Sequence, residues 1–341
     1  MTMSNEYRML YIGYWLRRFL SEYLVTVRNM SKNTIKSYRD TFKLLLPFAA
    51  KPCKKTTDDL LLTDISMSRV VSFLNMLEKE RKCTIRTRNQ RLAAIHAFAK
   101  YVSLHSPDHL EWCASVNTIP IKKASRRMIT YLEKEEMDAL LAAPNPNTEQ
   151  GYRDYAMLLF MYNAGTRADE TANMRIGDLQ LPRGKKGTGL VTITGKGQKT
   201  RMCPLWAKTC RVLRNLIDTR GESEFLFTNR FGNPITRYGI YEMVTKYGKA
   251  IESQYPAVKE KRLSPHTIRH TTASHLLQAG VDINTIRAWL GHVSIETTNQ
   301  YAEINMKMKI EAIEKCNIVN VKIPKCHWRD DKGLMDFLIS I

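Results

Sequence analysis

Apolar residues recur every three or four positions through nearly all of the first hundred residues. That period commits this part of the chain to amphipathic helices packed on one another. Residues 11–25 are apolar at this spacing. Ser31 then precedes a run in which Ile35, Tyr38, Phe42 and Leu45 share a face, and its hydroxyl suits the N-cap. Ser66 heads a third run, with Val70, Phe73, Leu74 and Leu77 aligned. Thr84 or Thr87 heads a fourth, with Leu92, Ile95, Phe98 and Val102. The pattern predicts a four-helix domain over residues 1–104. It fails over residues 105–128, where Pro107 and Pro120 accompany Lys122, Lys123, Arg126 and Arg127, the composition of a basic linker.

Beyond the linker the period returns, with one interruption. Residues 132–141 read as a helix, and residues 152–164 as a strongly apolar, buried one that ends at Gly165. Residues 190–194 and 199–203 flank Gly195-Lys196-Gly197-Gln198, a hairpin signal. Helices follow over residues 207–219, 238–251, 265–279, 283–290 and 295–315. The expected fold is therefore mainly α with a small β-sheet or hairpin, an α+β domain over residues 129–315. A tail over residues 316–341 carries Leu334, Phe337, Leu338 and Ile341 on one helical face, a possible contact between protomers.

Charge narrows the function. Across 341 residues the formal net charge is +20, and residues 1–128 carry 23 basic against 10 acidic side chains, a net of +13. An excess of this size favours polyanions, meaning nucleic acid or an anionic membrane surface. The first apolar stretch is broken by Arg17, Arg18 and Glu22, so it reads as neither a signal peptide nor a membrane span. The seven cysteines are scattered, with no CxxC and no zinc spacing, which suits reduced thiols in a cytoplasm. The expected partner is double-stranded DNA and not a membrane. Arg86, Arg88 and Arg91 on the fourth helix, with Lys122, Lys123, Arg126 and Arg127 of the linker, are the candidate DNA contacts.

Six residues could carry chemistry. In Ser264-Pro265-His266-Thr267-Ile268-Arg269-His270, Ser264 caps a helix and Pro265 takes its first position. His266 and Arg269 then share the first turn, where unpaired N–H groups already favour an anion. Arg167 follows Gly165 at a corner between helices, with Glu170 one turn on. Lys196 stands in the two-glycine hairpin. His292 follows Gly291 in a turn, and Tyr301 lies nine residues later on the next helix. Taken singly, each has a bland reading: an ion pair, a solvated turn lysine, a packed tyrosine.

Taken in order, Arg167, Lys196, His266-x-x-Arg269, His292 and Tyr301 resemble the full catalytic set of the tyrosine recombinase family, of phage integrase and Xer-like type. Gly195-Lys196-Gly197 leading to Pro204, His270-Thr271 with His275-Leu276-Leu277, and Leu290-Gly291-His292 extend the likeness over about residues 14–310. Gly165-Thr166-Arg167-Ala168-Asp169-Glu170 departs from the family's usual Gly-Leu-Arg and Ser-Glu but keeps Arg and Glu in register. The resemblance implies DNA cleavage and rejoining through a 3′-phosphotyrosine at Tyr301, with no metal and no ATP. It implies that Arg167, Arg269 and His292 hold the phosphate, Lys196 gives a proton, His266 handles the tyrosine proton, and Glu170 supports the others. It also implies a homotetramer in the synaptic complex, alone or with related recombinases, and no cofactor. A mobile-element enzyme is the first expectation and a Xer-type resolvase the second. A type IB topoisomerase-like enzyme and a non-catalytic DNA-binding regulator are the readings from other classes.

Overall fold

Ser31, Ser66 and Thr84 each cap a helix in the computed structural model of the chain, which describes residues 9–124, 129–182, 187–195, 197–291 and 333–340. The chain divides into two compact units, Met1–Arg127 and Met128–Ile341. In the first, α1 (Ile12–Arg17) runs on through wider turns over Arg18–Val27. Three helices follow, α2 (Lys32–Cys53), α3 (Met67–Lys79) and α4 (Ile85–Ser103). The hydroxyls of Ser31, Ser66 and Thr84 accept from the N–H groups of Thr34, Arg69 and Thr87. Their apolar faces meet in a core in which Trp15, Phe19, Phe73 and Phe98 are fully buried.

The expected linker begins later than its composition suggests. Pro107–His109 form a tight turn leading into α5 (Leu110–Asn117), whose Trp112, Cys113 and Val116 join the first unit's core. The Trp112 indole donates to the Ile65 carbonyl at 2.8 Å. Pro107 breaks the preceding period, but a proline with fixed φ also opens a helical turn, and here it does the second. Asn89 then ties Lys122 to α4, donating to its carbonyl at 2.7 Å and accepting from its N–H at 3.2 Å. Arg126 and Arg127 lie outside the described residues.

The second unit is built around α7 (Glu149–Ala164), preceded by α6 (Lys134–Ala142). Met157, Leu158, Leu159, Phe160 and Met161 of α7 are all buried, which requires neighbours on every side of the helix. Gly165 ends α7 at φ +59°, and a Cβ there would meet Leu290 Cδ2 at 2.5 Å, so both backbone and packing require glycine. The short α8 (Ala168–Ala172) follows. An antiparallel sheet in the order β1 (Leu179–Gln180), β2 (Gly189–Thr194) and β3 (Thr200–Leu205) comes next, with Ile193 opposite Arg201 and Thr194 opposite Thr200. The predicted hairpin is thus present, joined by a third strand. Then come α9 (Ala207–Ile217), α10 (Arg237–Ile251), α11 (Ala257–Lys261), α12 (Pro265–Gln278) and α13 (Ile283–Leu290). In the tail, α14 (Gly333–Ser340) leaves Phe337, Leu338 and Ile339 exposed. No helix among the described residues is long and apolar enough to cross a membrane.

Candidate active site

Three segments far apart in sequence converge where α7 ends, α12 begins and α13 ends. Arg167 is the N-cap of α8, and Glu170 reaches back to its backbone N–H at 2.9 Å while pairing with its guanidinium at 2.6 Å. Arg269, only 3% exposed, donates to the Gly165 carbonyl at 2.6 Å and the Leu290 carbonyl at 2.5 Å. Its guanidinium also lies 3.9 Å from Glu170. Those carbonyls are the groups a helix end leaves without intrahelical partners, so Arg269 closes α7 and α13 while being aimed by them. Arg167 is the more open of the pair, its side chain 34% exposed.

Sequence reasoning passed over a third arginine. Arg201 of β3 donates to Glu170 at 2.7 and 3.2 Å and to the Trp289 carbonyl at 2.9 Å, with its side chain 9% exposed. A signal was available, because strand alternation puts Arg201 on the same face as the buried Cys203 and Leu205. A charged residue in that register needs a partner inside. Three guanidiniums against one carboxylate leave a surplus of two positive charges around Glu170. Burial pushes the Glu170 carboxyl up, but Arg201, the Arg167 N–H and the Arg269 charge outweigh it and hold the carboxyl below its usual range. A doubly positive, partly open cluster suits a phosphodiester.

His266 stands on the first turn of α12, opened by the Ser264 cap and Pro265 as the sequence predicts. Its side chain is exposed, yet the protein around the ring removes enough water to lower its pKa. The charges of Arg269 and Arg167 lower it further. Both effects favour the unprotonated ring, the form that can accept a proton. His270 lies with its ring 6.4 Å from that of His266, and burial, then His266 and Arg269, push its pKa down to about 4. A histidine whose folded pKa lies below its unfolded value of 6.5 supports the fold fully above pH 6.5 and loses that support as pH falls toward 4. Unfolding free energy should drop by at most about 2 kcal/mol from this group between pH 7.5 and pH 5. Urea titrations of His270→Asn should show a correspondingly weaker pH dependence in that window. An unchanged dependence would remove His270 as its source.

Lys196, His292 and Tyr301 lie outside the described residues. The described backbone reaches the neighbours of Lys196 and His292. Gly197 and Gln198 take left-handed backbone at φ +77° and +58°, reversing the chain beside Lys196. Gly291, at φ +66°, ends α13 immediately before His292. The assigned DNA contacts divide. Arg88 is 4% exposed, pairs with Glu78 at 3.3 Å and donates to the Pro120 carbonyl, so its charge is taken up inside the first unit. Its charge is visible in the sequence, whereas the opposing Glu78 on α3 is not. Arg91 is half-buried and donates to the Ser37 carbonyl and the Thr41 hydroxyl of α2. Lys122 also pairs with Glu78, at 2.8 Å, while Arg86 and Lys123 are exposed.

The phage integrase family pattern matches residues 130–308, and the N-terminal SAM-like domain pattern of phage integrases matches residues 16–104. The candidate integrase/recombinase y4rC of Sinorhizobium fredii is 37% identical over 329 residues, covering 96% of this chain and 97% of its own. Tyrosine recombinase XerC of Pelobacter propionicus is 29% identical over 304 residues, 86% of this chain and 92% of its own. A structure of XerH site-specific recombinase bound to a palindromic difH substrate, in a post-cleavage complex, superposes with a TM-score of 0.65 at 20% identity. That match covers 84% of this chain and 80% of the other.

Proposed function

The chain belongs to the phage integrase family of tyrosine recombinases, and from that premise we propose that it cuts and rejoins duplex DNA through a 3′-phosphotyrosine at Tyr301. The observation that carries the reading is the cluster of Arg167 and Arg269 around Glu170, whose two guanidiniums also lower the pKa of His266. Two guanidiniums bind the non-bridging oxygens and offset the charge that grows as phosphorus becomes five-coordinate, and His292 adds a further hydrogen bond. The Tyr301 oxygen attacks phosphorus as its proton passes to His266. The bond from phosphorus to the 5′ oxygen breaks, and Lys196 supplies the proton that makes this oxygen a hydroxyl. A 5′ hydroxyl from a second strand then reverses each transfer, displacing the tyrosine and sealing the new junction. Because the bond energy stays in the phosphotyrosine, the cycle needs no ATP, and because the two guanidiniums, His292 and Lys196 supply the charge stabilisation and the proton, no step calls on a metal.

Exposed cations such as Arg86 and Lys123 meet backbone phosphates and hold the duplex. The biological role is recombination for a mobile element, favoured over Xer-type resolution by the greater identity to the integrase/recombinase relative than to XerC. The test begins with DNA from the organism that encodes the chain. Incubated with it in EDTA and without nucleotide, the full-length protein should capture DNA covalently, and sequencing that DNA defines the site. On nicked suicide duplexes of this sequence, Lys196→Ala should give almost no adduct, and a 5′-bridging phosphorothiolate, whose sulfur leaves without a proton, should restore it. Complexes trapped on two such duplexes should contain four protomers. No covalent capture, or capture only with added divalent metal, would sink the proposal.

A further inference from the structure

Arg201 has no part in the reaction set out above, yet it is held on every side. Its two terminal nitrogens take both oxygens of Glu170, and its Nε takes the Trp289 carbonyl, so it links β3, the Arg167 corner and the end of α13. The approach is close. A Cβ on Gly291 would lie 3.0 Å from Arg201 Cδ, so the residue just before His292 leaves room for the arginine stem. Cys203, two residues along the same strand face, also donates to the Trp289 carbonyl, at 3.3 Å.

We propose that Arg201 is a positioning residue for strand cleavage, the counter-ion that occupies Glu170 so that Arg167 and Arg269 keep their charge for the scissile phosphate. The inference rests on the recombinase reading. Glu170 is 4% exposed, and a buried carboxylate must be matched by cations close by. With Arg201 present, Glu170 can hold Arg167 at its backbone N–H and its guanidinium while the fork of Arg201 meets both carboxylate oxygens from β3. Without Arg201, the carboxylate must draw on Arg167 and Arg269 themselves. The surplus of two positive charges in the cluster falls to one, and the grip on the phosphate weakens when its charge is largest. The bond to Trp289 adds a mechanical link, holding the entry to His292 against the strand that follows the Lys196 hairpin. This arrangement makes Arg201 act on rate more than on affinity, since DNA binding draws on many phosphates and this cluster on one.

The experiment uses full-length protein and nicked suicide duplexes of the captured sequence, reading single-turnover adduct formation, affinity for the intact duplex and melting temperature. Arg201→Met should slow adduct formation about a hundredfold and change the dissociation constant less than about threefold, the size of effect seen when groups that orient reacting residues are lost. Arg201→Lys, which keeps a cation but loses the fork, should recover about tenfold of that loss. The deciding variant is Glu170→Gln combined with Arg201→Met. If Arg201 acts by occupying the Glu170 charge, removing both charges should restore cleavage at least about tenfold over Arg201→Met alone. A double variant no faster than Arg201→Met, or an Arg201→Met rate within about threefold of the native rate, overturns the inference. If Arg201→Met unfolds, Arg201→Lys and the double variant carry the same comparison. A native chain that forms no adduct removes the recombinase reading itself, whereas a native adduct with unimpaired Arg201 variants removes this inference alone.

Discussion

Arg167→Ala and Arg269→Ala should each lower strand cleavage by at least about a hundredfold, roughly 3 kcal/mol of lost transition-state stabilisation per guanidinium. The two should nevertheless differ in the folded protein they leave behind. Arg167 is 34% exposed, and its ion pair with Glu170 is partly solvated, so its loss should alter unfolding free energy by less than about 1 kcal/mol. Arg269 is 3% exposed and serves two buried carbonyls, at Gly165 and Leu290, besides facing Glu170. Truncating it strands those acceptors, which should cost about 3 kcal/mol and lower the melting temperature visibly. Single-turnover cleavage beside thermal unfolding separates the effects. Normal cleavage by either variant would place the phosphate elsewhere, and equal stability of the two would contradict the buried role of Arg269.

Tyr301→Phe has the larger expected effect on chemistry and the smaller on everything else. One oxygen is removed, and with it the only protein atom proposed to bond to phosphorus. The guanidinium cluster and the basic surface of residues 1–128 stay intact, so affinity for intact duplex should remain within about threefold. The adduct should vanish on ordinary and on phosphorothiolate DNA alike, which distinguishes the nucleophile from the proton donor Lys196. Adduct formation by the phenylalanine variant would transfer the role to another residue.

Among the described residues, most of the helices and the Arg167–Glu170 corner are legible in the sequence, and the features that are not share a cause. Helix α13 falls over residues 283–290 as predicted, because Asp282 caps it and Gly291 stops it. The caps at Ser31, Ser66, Thr84 and Ser264, the buried α7 and the glycine hairpin are likewise local signals, written in neighbouring residues. Helix α5 is hidden because Pro107 both breaks a period and opens a turn, and eight residues are too few for a period to assert itself. Arg88 reads as a DNA contact in the sequence because its neutralising Glu78 lies on another helix. Arg201 escapes notice for the same reason, its acceptors being 31 and 88 residues away in the chain. Spacing tells where a charge sits along an element. What stands opposite it is decided by tertiary packing, and that decides whether a charge serves the fold, the site or the surface.

The central claim is a covalent bond between DNA and one tyrosine, and it can be read directly. Full-length protein is reacted with a nicked suicide duplex in EDTA, digested with protease and nuclease, and the peptide carrying the nucleotide remnant is sequenced by mass spectrometry. The account predicts a single modified residue, Tyr301, joined through its oxygen to the 3′ phosphate of the broken strand, with a free 5′ hydroxyl on the other side. A remnant on any other residue, a 5′-linked remnant, or broken strands with no attached peptide would contradict it.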